Sequence, residues 1–284
     1  MAREGILRYN ADIRNVWEDK AMTLTIQEMI DRILAETPGG LRQPTVDTVK
    51  IGDPTQAVRG VITTCMATVA VIREAISRNA NLIITHEPTF YNHLDETDWL
   101  AEDPIYRAKR ALLEEHHLVI WRYHDHIHSL QPDGILAGVL KQLGWGPYAD
   151  PNVRGLCVVP PTSLWDLVAM LRERLGVVHL KVFGDPEMIC QRIGLAVGAA
   201  GGRMQIAFLR EQALDLLVCG EINEWETAEY VRDADLLGHR QALVVLGHVL
   251  SEEPGMAWLA EWLRGRFPNV PITHIPAGEV FEYV

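Results

Sequence analysis

The chain has 284 residues, 48% of them apolar and 23% charged, with a net charge of −12 when histidine is neutral. This is ordinary globular composition and excludes disorder for the chain as a whole. The negative charge, with no Lys/Arg run to offset it locally, makes nucleic acid an unlikely partner, and no segment approaches the roughly 18 continuous apolar residues of a membrane span.

From the N-terminus, Met1 to Met22 mix charges and lack the apolar core of a signal peptide, so they read as an appended arm on a soluble, cytoplasmic protein, with Met22 an alternative start. Thr23 to Leu34 place Ile26, Met29, Ile30, Ile33 and Leu34 at helical spacing before the Pro38-Gly39-Gly40 breaker. Val58 to Thr64 is a predicted buried strand, Val69 to Ser77 a helix, and Asn81 to Thr85 a second strand ending in His86-Glu87-Pro88. Strand, helix and strand with short links predict a parallel sheet.

The pattern recurs. Arg192 to Gly198 is a predicted strand, Met204 to Gln212 a helix, and Asp215 to Cys219 a strand ending in Gly220-Glu221. A shift of about 134 residues superposes the two units, with Val61 on Leu195, Leu82 on Leu216 and Glu87 on Glu221. The next strands, Leu118 to Tyr123 before His124 and Leu243 to Gly247 before His248, match at about 124, which puts His128 opposite Glu252. Duplication explains this; chance similarity of two βαβ units is the alternative.

Gly144 to Pro161, rich in Gly and Pro, is the natural lobe boundary. Beyond it come a helix at Leu164 to Leu175, a strand near Leu180 to Phe183, a helix from about Met256 to Arg264, and a closing edge strand at Val280 to Val284. The expected architecture is α/β: two similar lobes with mainly parallel or mixed sheets and a metal site in the cleft between them. The expected divisions are 1–149, with the arm, 150–245, and a C-terminal segment 246–284 packing back on the first lobe. Cys65, Cys157, Cys190 and Cys219 form no C-x-x-C pair and read as small buried hydrophobes.

Three polar clusters follow buried strands: His86-Glu87, His124-Asp125-His126-Ile127-His128, and His248 to Glu253. That edge of a parallel sheet is where ligands bind, and mixed imidazole and carboxylate donors suit Zn, Mn or Fe. His124 and His128 are four apart, as are His248 and Glu252, which brings each pair to one face of a helical turn. Plainer readings exist residue by residue. His86 alone is a hydrogen-bonded strand end, Ser251 an N-cap, and Glu252 and Glu253 favourable charges at a helix start. His93, His116, His117, His239 and His274 read as surface or structural. Gly194, Gly198, Gly201 and Gly202 allow a tight turn, or a phosphate site at the helix they precede.

These motifs resemble a family. Asn81 to Phe90 is similar to the "L-I-x-H-H-P" signature of the NIF-three-like dinuclear-metal-centre proteins, also called GTP cyclohydrolase I type 2 homologues. Gly247-His248 with Ser251-Glu252 resembles their "G-H-x-x-S/T-E", and Gly220-Glu221 stands where they carry "T-G-D". The resemblance implies two α/β lobes, two divalent metals (Zn, Fe or Mn) between them, and a homo-hexameric ring. It carries metal-ligand roles to His86, Glu87, His128, His248 and Glu252, with His124 a ligand or a partner of one. Asp125 is the candidate general base, or a replacement ligand for His128.

Three positions depart from the family: Glu87 stands for its second histidine, His128 for its ligand aspartate, and Met66 for another aspartate. Either the donors are redistributed around two metals or a reduced site holds one. The expected function is metal-dependent hydrolysis of a nucleotide or other small-molecule substrate; the rival is a non-catalytic metal-binding scaffold that recruits a partner protein. An open metal position would distinguish the enzyme.

Overall fold

The computed structural model describes residues 24–38, 40 and 42–282; the expected arm Met1 to Met22 lies outside them. Helix α1 (Ile26–Ala35) begins at a capping box, in which the Thr25 hydroxyl accepts from the Glu28 N–H and the Glu28 carboxylate accepts from the Thr25 N–H.

Two five-stranded sheets carry the fold. In the first, the order is β1 (Val49–Ile51), β4 (Val119–Arg122), β3 (Leu82–Thr85), β2 (Val61–Thr64), β10 (Ile272–His274), all parallel except β1. In the second it is β5 (Leu156–Ser163), β7 (Ile189–Ala196), β8 (Leu216–Cys219), β9 (Ala242–Val245), β6 (Lys181–Phe183), with antiparallel edges around a parallel centre. The central strands are buried on both faces, which is why they read as unbroken apolar runs. Val61, Leu82 and Ile84 face one core of the first sheet, and Ile62 and Ile83 the other.

Helices cover both faces of each sheet. On the first sheet, α2 (Val69–Ser77) and α3 (Pro104–Glu115) pack on one side, and α1 and α8 (His248–Arg266) on the other. The second has α5 (Leu164–Leu175) on one side and α6 (Gly202–Glu211) and α7 (Glu229–Leu236) on the other. Helix α4 (Gly134–Leu143) joins the two: Ile135 enters the first sheet's core, and Leu136, Val139 and Leu143 enter the second's.

The repeated unit is present, with β3 and β8 placed at the predicted shift. The first strands correspond at 132 instead, since Val61 pairs with Leu82 as Ile193 pairs with Leu216, so Val61 stands on Ile193 and not on Leu195. The last strand of each unit differs from expectation by one residue. Val119 pairs with Leu82 as Ala242 pairs with Leu216, so the strands correspond at 123 rather than 124. One additional residue separates the end of β9 from His248, accommodated at Gly247 with φ of +96°.

Other expectations are corrected. The helix predicted from Met256 starts at His248 and runs through Pro254, so Ser251 is no N-cap; its hydroxyl accepts from the Gly198 N–H and donates to the His248 carbonyl. Part of the expected linker forms strand β5. Residues 280–282 are not in a strand, and 283–284 lie outside the described residues. The sheet edge is closed instead by β10, which pairs with β2 across more than two hundred residues of sequence.

Helix α8 crosses α4 at glycines. A Cβ on Gly138 would lie 2.1 Å from the Pro254 carbonyl oxygen, and one on Gly255 would lie 2.5 Å from the Ile135 Cα. Gly138→Ala is therefore expected to cost about 1–3 kcal/mol by overpacking. Gly265→Ala on α8 meets nothing within 4 Å and is expected to gain up to about 1 kcal/mol. Urea melts of both variants check this; equal effects would show that the crossing is not tight.

Candidate metal centre

The predicted side chains arrive at the carboxyl ends of β3, β4 and β9, and the structure brings six of them together: His86, Glu87, His124, His128, His248 and Glu252. The His86 and His124 rings stack at 4.5 Å, and His128 stands edge-on to them at 5.0 and 5.2 Å. Glu87 Oε1 lies 3.4 Å from His248 Nε2, 3.6 Å from His124 Nε2 and 4.0 Å from His86 Nε2. Glu252 faces His86 Nε2 with one oxygen at 3.6 Å and His248 Nε2 with the other at 3.1 Å. The donor atoms of His86, His124 and His128 lie within 4.8 Å of one another, and so do those of His86, Glu87 and Glu252.

Each imidazole is oriented from behind. Nδ1 of His86 is 3.3 Å from the Tyr123 carbonyl, that of His124 3.1 Å from Asp125, that of His128 3.0 Å from Asp133, and that of His248 3.3 Å from Glu221. In His86, His124 and His248 an acceptor at Nδ1 favours a proton there and turns Nε2 the other way; the His128 Nδ1 also lies 2.9 Å from an Arg154 guanidinium nitrogen, which can only donate, so its tautomer is not fixed in this way. In His86 and His248 that Nε2 is buried and makes no hydrogen bond. Buried polar atoms are normally satisfied, so these two point to an electrophilic occupant.

The electrostatics agree. Glu87 and Glu252 are 7% and 4% exposed, and two carboxylates out of water require positive charge nearby. Burial disfavours protonation of His248, but the Glu252 and Glu87 carboxylates outweigh it and push its pKa up to about 11. Burial likewise opposes His86, which the same carboxylates raise. His124 falls to about 4, through burial and its neighbour His86. Burial raises Glu252, but His86 and His248 more than offset this and hold it far below the usual range. Once a cation displaces the protons that His248 and His86 hold, two carboxylates among imidazoles form a donor set of the kind divalent transition metals accept.

Asp125 is engaged elsewhere. Its Oδ2 accepts from the Thr45 hydroxyl at 2.8 Å and the Val46 N–H at 3.1 Å, while Oδ1 faces His124. His126 uses both nitrogens internally: Nδ1 meets Asp47 at 2.6 Å and Nε2 accepts from the Arg42 N–H. Asp47 also accepts from the backbone N–H groups of His124, Asp125 and His126, which fixes the loop after β4.

Several contributors escaped the sequence reading. Asp133 caps α4 with one oxygen and faces His128 and Arg154 with the other. Arg122 is fully buried; it donates to the His86 and His93 carbonyls and lies 3.5 Å from Glu87 Oε2. Its signal was available, since an arginine inside a buried apolar strand needs anionic or carbonyl partners. Asp47 gives no local signal. Gly198 matters by absence: with φ of +66°, its Cβ would lie 2.1 Å from Glu252 Oε1.

The cluster opens into a cleft of about 1050 Å³, whose walls include Met66, Val69, Val197 and Met204, with Arg42, Lys109 and Arg154 among its polar residues. Among the described residues no helix is long and apolar enough to cross a membrane.

Residues 43–278 match the family model described as Duf34/NIF3 (NGG1p interacting factor 3). A Clostridium acetobutylicum protein named GTP cyclohydrolase 1 type 2 homolog is 22% identical over 264 residues, covering 88% of this chain and 94% of its own. The Escherichia coli K12 protein of the same name is 26% identical over 216 residues, covering 74% and 81%. Among solved structures, a Staphylococcus aureus hypothetical protein aligns with TM-score 0.73 at 18% identity, covering 92% of this chain and 99% of that one. A Bacillus cereus protein related to NIF3 aligns at 0.70 and 15% identity, covering 92% and 99%. At these identities the structural likeness speaks for the mixed α/β fold.

Gly198→Ala is expected to cost about 1–2 kcal/mol in backbone strain and to displace Glu252 as well. Gly201→Ala, also at positive φ but with nothing within 4 Å, is expected to show strain alone. Denaturant melts with metal content measured alongside check this; equal metal content in the two variants would remove the Gly198–Glu252 contact from the account of the site.

Proposed function

The chain belongs to the Duf34/NIF3 family, and we propose that its His/Glu cluster holds a pair of divalent metal ions, Zn, Fe or Mn, and hydrolyses a nucleotide or another small molecule. What supports this most is the set of three imidazoles, His86, His124 and His248, tied at Nδ1 to oxygen acceptors with Nε2 converging on two buried carboxylates, and the His128 ring standing against them. Glu252 presents one oxygen to each of two histidines, as a carboxylate between two cations would. Metal pairs in such sites supply a water of lowered pKa and a clamp for developing negative charge.

In this reading His86, Glu87, His128, His248 and Glu252 hold the metals with His124. Asp125 acts by orienting His124 rather than as a free base, because three partners occupy its oxygens. Burial opposes ionisation of Glu87, but His248 and His86 outweigh it and keep its carboxyl below the usual range, while Arg122 lies 3.5 Å from its Oε2. The exchange of donor types at Glu87 and His128 leaves a full set, which favours the two-metal reading over the single-metal one. The open cleft, with the side chains of His124 and His248 23% and 22% exposed, leaves room for a substrate and favours the hydrolase over a closed structural site. The cyclohydrolase names of the relatives fit that reading.

The same reading includes a cytoplasmic location, which the four free, buried cysteines suit, and a homo-hexameric assembly. Trp225, Leu236 and Leu237, each at least 75% exposed, are apolar surface that an assembly would cover.

Elemental analysis of untagged protein after reconstitution is expected to give about two equivalents of transition metal, dropping sharply in His248→Ala and in Glu252→Gln. Absence of metal from the wild type would overturn the proposal, and one equivalent insensitive to both variants would overturn its dinuclear part.

A further inference from the structure

Lys109, on α3, is only 6% exposed yet belongs to the wall of the cleft. Its ammonium donates to the Thr89 carbonyl at 2.7 Å, and the Phe90 and Tyr91 rings lie 5.8 and 5.2 Å from Nζ. Asp95, the carboxylate that bears on it, pairs instead with Lys50 at 3.6 Å. An ammonium has three donors, so two remain after the Thr89 carbonyl is served. The Thr89 hydroxyl is buried and makes no hydrogen bond.

Burying a cation whose neighbouring carboxylate is paired with another lysine is costly, and a methionine would fill the same space without that penalty. The cost is visible: burial lowers the Lys109 pKa to about 8, which still leaves it protonated at neutral pH. Arg42 and Arg154 lie on the same cleft, so the positive charge is not isolated. The cleft's volume, about 1050 Å³, far exceeds a bare ion and suits a small organic molecule lying along the apolar wall of Met66, Val69 and Met204.

We propose that Lys109 forms an anion subsite that receives the phosphate group of the molecule whose reacting end lies at the His/Glu cluster. The assignment of the reacting end rests on the hydrolase reading; anion binding at Lys109 does not require it.

The test is titration calorimetry with inorganic phosphate, and separately with acetate, on metal-free and metal-loaded protein. Wild type, Lys109→Gln and Lys109→Arg are compared, with circular dichroism confirming that each folds. Phosphate is expected to bind the wild type in both forms, to bind Lys109→Gln at least about tenfold more weakly in both, and to recover most of its affinity in Lys109→Arg. Binding of acetate with the same dependence on Lys109, and no phosphate binding, would keep the subsite and make its ligand a carboxylate. Phosphate affinity unchanged in Lys109→Gln, or no anion binding to the metal-free wild type, would overturn the subsite. The metal-free arm separates this outcome from failure of the metal reading, because a cluster-bound metal takes phosphate by itself. If Lys109→Gln does not fold, the arginine variant decides: it must bind phosphate within about tenfold of the wild type for the subsite to stand.

Discussion

Two carboxylates out of water, Glu87 and Glu252, are the constraint around which this structure is organised. Neither has enough solvent to remain ionised alone; Arg122 pairs with Glu87 at 3.5 Å on one side. Their charge is balanced by imidazoles, whose orientations are set by a further layer of acceptors at Asp125, Asp133, Glu221 and the Tyr123 carbonyl. A proton on His248 or His86 answers the charge in the bare protein, and a divalent cation would answer it better. The chemistry of the site follows from that competition.

The fold meets this constraint at the carboxyl edge of its parallel strands. β3 delivers His86 and Glu87, β4 delivers His124 and His128 through a loop gathered on Asp47, and β9 delivers His248 through Gly247. Glu252 comes from one turn further along α8, and it reaches His86 only because Gly198 has no side chain in its path. The depth of α8 is set in turn by its crossing with α4 at Gly138 and Gly255. Asp133 links these levels, since one carboxylate both starts α4 and aims His128. Packing, capping and site geometry are thus shared by the same few residues, so damage to one is felt in the others.

Much of this was legible in the sequence. Unbroken apolar runs marked β2, β3 and β8 because strands buried on both faces have no polar alternation to show. The His and Glu residues after β3, β4 and β9 were identifiable as a candidate site because parallel sheets present ligands at that edge. Helical spacing at His248 and Glu252 correctly placed both on one face. The internal repeat was visible at β3 and β8, while the two-residue difference at β2 and β7 and the single-residue one at β4 and β9 were hidden, since apolar strands match almost equally well one or two residues apart.

What only the tertiary structure decided are the contacts between residues distant in the chain. Nothing near Asp47 announces that it gathers the loop of His124 to His126, and nothing near Asp125 that Thr45 and Val46 occupy it. Pro254 reads locally as a helix boundary, yet α8 runs through it because packing on the first sheet and on α4 outweighs one lost hydrogen bond. β10 is three residues long and finds its place only against β2. The sequence by itself determined which residues would stand at the strand ends, because periodicity and burial are local properties. Which nitrogen of each histidine faces the centre was decided by the assembled fold, because a tautomer is fixed by whichever acceptor the rest of the chain brings to its other side.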